Sequence, residues 1–109
     1  MQSVQVIATL LALTLSHAAW AQSAPSIIDA QRAYYQGQYG RSLALFEGLA
    51  ARQDAEAAEC AGFMLLQGHS LYGPDVRRDA ERAKVLLLQA ARAGRVGAGF
   101  MLNMLERSD

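Results

Sequence analysis

Shifting the sequence by 41 residues lays one alanine-rich stretch on another: Ser42 falls on Ala83, Leu45 on Leu86, Phe46 on Leu87, Leu49 on Ala90 and Ala50 on Ala91. The match continues with Ala57 on Ala98, Ala58 on Gly99, Ala61 on Leu102 and Met64 on Leu105. Small residues meet small ones and apolar residues meet apolar ones, as expected of a duplicated helix-pair unit. Such a unit cannot bury its apolar face alone, so the pattern constrains the chain to stack helix hairpins side by side.

The local periodicity agrees. Ala83, Leu86, Leu87, Ala90 and Ala91 follow the i, i+3, i+4, i+7, i+8 spacing of one helix face. Asp79 stands where an N-cap belongs, because its carboxylate accepts the free N–H groups of a first turn. Gly94 stands where a left-handed residue closes a helix. The expected helices are about 26–36, 39–52, 55–67, 79–93 and 96–107, the first opened by Ser26 with Asp29 as a capping box. The last carries Ala98, Met101, Leu102 and Leu105 on one side. Gly37-Gln38 is a tight turn, whereas 68–78 is a longer loop holding Gly73-Pro74. No stretch alternates with period two, so the expected fold is all-α, with about five helices.

Ahead of these helices lies an apolar run, VIATLLALTL, of about ten residues. It falls short of the ~20 needed to span a bilayer but has the length of a secretory signal core. The small-x-small triplet Ala19-Trp20-Ala21 follows it, which places cleavage between Ala21 and Gln22 and assigns 1–21 as a signal peptide. The first residues, MQSVQ, lack the usual Lys or Arg. Exported protein in the periplasm or outside the cell is the expectation; an uncleaved segment would instead hold the domain at the inner membrane.

The domain 22–109 is small enough to need help from a partner or a covalent staple. Cys60 is the only cysteine, so no intramolecular disulfide can form, although an intermolecular one can in an oxidising compartment. Ten basic and ten acidic residues cancel, which leaves no electrostatic footprint for nucleic acid or an anionic membrane.

The residues resemble a known family. Asp79, Ala83, Leu86, Ala90, Ala91 and Gly94, followed by Ala98 and Leu102, match the second half of a Sel1-like repeat and the opening of the next. Leu86 replaces the family's aromatic residue, and Asn103 replaces the glycine expected after Leu102. Gly73 and Val76 suit the preceding loop, where Asp75 replaces a second glycine. Ala57, Gly62, Leu65 and Gly68 fit the first helix if that loop holds about five extra residues. Gly37-Gln38-Tyr39, with Leu45, Phe46 and Ala50, is similar to the G-x-Y…F motif of tetratricopeptide repeats. The resemblance implies a short right-handed α-solenoid that binds other proteins and has no catalysis of its own. Some exported Sel1-like proteins staple each repeat with a cysteine pair, which a single Cys60 cannot supply.

Candidate chemistry is sparse. Once His17 leaves with the signal, His69 is the remaining histidine, so neither a histidine-built nor a Cys-rich metal site fits within one chain. No metal or cofactor is expected. Cys60 and His69 would have to act as nucleophile and base, yet one sits mid-helix, the other begins a loop, and no third group orients them. Gly94, Gly97 and Gly99 lack the strand that a dinucleotide site requires. Tyr34 and Tyr35 are candidate partner contacts, Tyr39 is assigned to the core, and Tyr72 is expected to be exposed beside Pro74. Arg77, Arg78, Arg82 and Arg92 read as a solvated face. Met101, Met104 and Leu105 mark an end where another protein or a second copy would pack. The expected role is an adaptor or assembly factor; the alternative is a small envelope enzyme or an enzyme inhibitor.

Overall fold

The computed structural model describes residues 24–108. The expected signal segment and the expected cleavage point at Ala21 and Gln22 lie outside the described residues. The described residues form six helices: α1 (Ile27–Tyr35), α2 (Tyr39–Ala51), α3 (Ala55–Gln67), α4 (His69–Tyr72), α5 (Ala80–Arg92) and α6 (Val96–Ser108). The described residues contain no strand.

Local chemistry sets the helix ends. The Ser26 N–H donates to Asp29 Oδ2 at 2.8 Å, and this bond holds the Asp29 carboxyl below its ordinary value. Asp54 and Asp79 cap α3 and α5, accepting from the Ala57 N–H at 2.9 Å and the Arg82 N–H at 3.0 Å. The exits of α1, α2 and α5 share one motif, in which two successive N–H groups fold back on carbonyls of the last turn. In α5 these are Gly94 to Ala91 and Arg95 to Ala90, both at 3.0 Å. The left-handed position is Gly37, Gln53 and Gly94 in turn, with φ of 77°, 72° and 96°.

The duplication carries through to the backbone. Adding 41 to the bounds of α2 and α3 (39, 51, 55 and 67) gives those of α5 and α6 (80, 92, 96 and 108). Gln53 thereby corresponds to Gly94.

The five longer helices pack on one another in chain order: α1 on α2, α2 on α3, α3 on α5 and α5 on α6. The α3–α5 contact is the most extensive, because Gly62 and a face of alanines let the two backbones approach. A Cβ at Gly62 would lie 2.8 Å from the Leu87 side chain. Met64, Leu87 and Val76 are the largest fully buried side chains. Burying one of this size stabilises the fold by roughly 1.5–3 kcal/mol. Polar ties cross the stack too. Ser42 Oγ, fully buried, donates to the Ala30 carbonyl at 2.9 Å, and Gln89 Nε2 donates to the Ala50 carbonyl at 2.7 Å.

The long connection 68–78 departs from the sequence expectation. It contains the short helix α4 and folds over the end of α3, which raises the helix count from five to six. Its last residue and the one after it satisfy carbonyls at the end of α3: Arg78 Nε donates to Leu66 at 3.1 Å, and the Asp79 N–H donates to Leu65 at 2.9 Å. Gly68 makes the approach possible, since a Cβ there would stand 2.6 Å from the Arg78 nitrogen. Val76 is driven fully into the core. So is Tyr72, only 5% exposed, which corrects its assignment as a solvent-facing residue.

Candidate interaction groove

Helices α1, α3 and α6 line a groove of about 380 Å³. On α3 the wall residues are Glu56, Glu59, Cys60 and Phe63, whose i, i+3, i+4, i+7 spacing puts them on one face. Helix α1 contributes Gln31, Tyr34 and Tyr35, and α6 contributes Gly97 and Met101. Phe46, Met64 and Tyr72 complete the lining.

The aromatic side chains are held by one another. Tyr34 and Tyr72 share a hydroxyl–hydroxyl hydrogen bond of 3.0 Å with ring centroids 5.7 Å apart. Edge-to-face contacts join Tyr72 to Tyr39 at 5.0 Å and to Phe63 at 6.4 Å. Burial, and then the bond to Tyr34, push the Tyr72 phenol up, so it stays a neutral hydrogen-bonding group. Tyr35 lies at the outer edge of this cluster, 85% exposed.

The polar wall has two parts. Glu59 accepts from Arg95 Nη2 at 2.7 Å and from the Ala98 N–H at 2.9 Å, so it serves α6 as a cap. Glu56 accepts from Gln31 Nε2 at 3.1 Å. Between the carboxylates and the aromatic rings sits Cys60, whose thiol is pushed up to about 11 by burial and then by Glu56 and Glu59. A shift in this direction lowers the thiolate fraction at neutral pH. His69 borders a separate depression with Gly73, Pro74 and Val76, so the structure does not bring the two residues together.

Of the expected contact residues, Tyr34, Tyr35, Tyr72 and Met101 converge on the groove. Met104 and Leu105 do not; with Met101 they edge a shallower depression beside Leu66 and Arg78. The repeat-motif residues serve the scaffold. Val76, Ala83, Leu86, Ala90 and Ala98 are buried, and Ala91 and Leu102 pack against that core. Asp79 caps α5, while Gly73 and Gly94 take positive φ at turns. All four arginines of the run are exposed; Arg78 donates to a carbonyl at the end of α3, and Arg82 pairs with Glu47 at 3.5 Å.

Sequence reasoning missed Glu56, Glu59 and Phe63 as wall residues. A signal was present in the polar-to-aromatic face of α3, opposite its alanine face, but its significance depends on what α1 and α6 place beside it. In comparison with known proteins, no family model matches the chain, no curated protein matches it, and no solved structure matches it.

Proposed function

We propose that the protein is an exported module of stacked helix hairpins, a short solenoid of the Sel1-like or tetratricopeptide type. Its α1–α3–α6 groove receives part of another protein in the cell envelope. The observation that carries this reading is the exposed, aromatic-lined groove built from three separate helices. Concave, mostly apolar surfaces with a few polar groups are the ordinary form of a binding site. Tyrosines offer contact area with little loss of side-chain freedom.

Two further observations support it. The helix bounds repeat with one period, and the groove is lined by side chains from α1, α3 and α6 together. Site-directed photo-crosslinking in the exporting cell tests the reading. A photoreactive residue replacing Tyr35 or Met101 should give discrete adducts, whereas one replacing the exposed Leu88 on α5 should not. Equal adducts from both faces, or none from the groove, would overturn the proposal.

A further inference from the structure

The groove lining combines apolar and aromatic residues with two carboxylates, Glu56 and Glu59, and no lining residue is basic. Glu59 takes both hydrogen bonds from Arg95, whereas Glu56 accepts from the uncharged Gln31 amide and feels Arg95 only at longer range, so two carboxylates share one cation. A carboxylate with no ion pair of its own, in a groove that Tyr34 and Tyr35 also line, favours a cation with an apolar stem. The ring quadrupoles attract positive charge. A guanidinium or ammonium also forms a charge-assisted hydrogen bond with the carboxylate. Phe63 and Met101, in the same lining, offer surface for the methylenes of such a side chain and for an apolar neighbour.

Resting on the reading of the groove as a protein-binding site, we propose that its occupant is an extended polypeptide segment. That segment inserts an arginine or lysine between Glu56 and the Tyr34–Tyr35 pair, with apolar residues alongside. An acidic or neutral segment would desolvate Glu56 and leave it with only the Gln31 amide as a direct partner, which is unfavourable for a buried charge.

The test uses the purified protein and three acetylated, amidated pentapeptides, Leu-Ala-X-Ala-Leu, with X as arginine, norleucine or glutamate. Amide resonances are followed during titration. The arginine peptide should shift resonances of Glu56, Tyr35 and Met101 and bind roughly tenfold more tightly than the norleucine peptide. The glutamate peptide should bind most weakly. Glu56→Gln keeps the partner of Gln31 but removes the charge, so it should abolish the preference for arginine while the norleucine peptide binds as before.

Equal binding of arginine and norleucine peptides at the groove would overturn the cationic occupant and leave the groove reading standing. Shifts confined to other surfaces, or no binding by any peptide, would overturn both. Tetramethylammonium displacing the arginine peptide at an equal concentration would assign the site to a free cation and overturn the polypeptide occupant.

Discussion

The Glu59 carboxylate meets the Arg95 guanidinium through two nitrogens, at 3.2 and 2.7 Å. Arg95 precedes α6 at the place where Asp54 precedes α3, but an arginine has no acceptor for the free N–H groups of a first turn. Glu59 supplies that acceptor from α3 by taking the Ala98 N–H at 2.9 Å. One side chain thus caps a helix, neutralises its leading cation and forms part of the groove wall.

Removing that carboxylate should loosen α6 first. Glu59→Ala is expected to destabilise the protein by about 2 kcal/mol, the cost of leaving a charged hydrogen-bonding arrangement unmade. Glu59→Gln should cost less, because it keeps an acceptor for Ala98. Urea denaturation measures the difference, and hydrogen exchange should show the Ala98 amide losing protection ahead of α3. Unchanged protection in Glu59→Ala would mean that α6 does not depend on this cap.

The same substitution should act with opposite sign at two glycines. Gly48 lies within α2 with open space where a Cβ would go, so Gly48→Ala should stabilise by about 0.5–1 kcal/mol through helix propensity. Gly68 has φ 62° and ψ −148°, and its Cβ would press on the Arg78 backbone. Gly68→Ala should therefore cost about 3 kcal/mol or more through strain and overpacking. Thermal unfolding of the two variants reads both signs in one experiment.

Gln53 holds the left-handed position that Gly94 holds in the second hairpin, with φ 72°. Gln53→Gly removes the strain of a side chain there but gives the unfolded chain more freedom. The net expectation is a gain of about 0.5 kcal/mol in denaturant stability. A loss would indicate that the Gln53 side chain contributes contacts outweighing the strain.

The Cys60 thiol should react slowly and with a shifted pH dependence. Raising its value from 9.0 to about 11 lowers the thiolate fraction near pH 8 by about 100-fold, while the higher basicity of the thiolate recovers part of that. Exchange with an aromatic disulfide reagent is expected to run about tenfold slower than for the denatured chain. The linkage has a definite sign: the unfolded thiol ionises first, so its contribution to folding is complete below about pH 9 and is lost as pH rises toward about 11. Cys60→Ser should flatten this alkaline decline. A decline of the same size in that variant would assign it to other groups.

The sequence by itself determined the local elements. Capping at Ser26, Asp54 and Asp79, chain reversal at Gly37 and Gly94, and the 41-residue period all depend on residues within a few positions of one another or on a repeated face. Such short-range hydrogen bonding is written in residue type and spacing, so the five main helices are legible there. Only the tertiary structure decided what the 68–78 connection and the α3 face would become. Tyr72 is buried because its hydroxyl meets Tyr34, 38 residues earlier, and its ring fits against Tyr39 and Phe63. Glu59 caps a helix because Ala98, 39 residues later, lies within reach. The groove exists because α1, α3 and α6 stand side by side. Long-range packing chooses these neighbours, and no local pattern near Glu56, Glu59 or Tyr72 encodes which surface will face them.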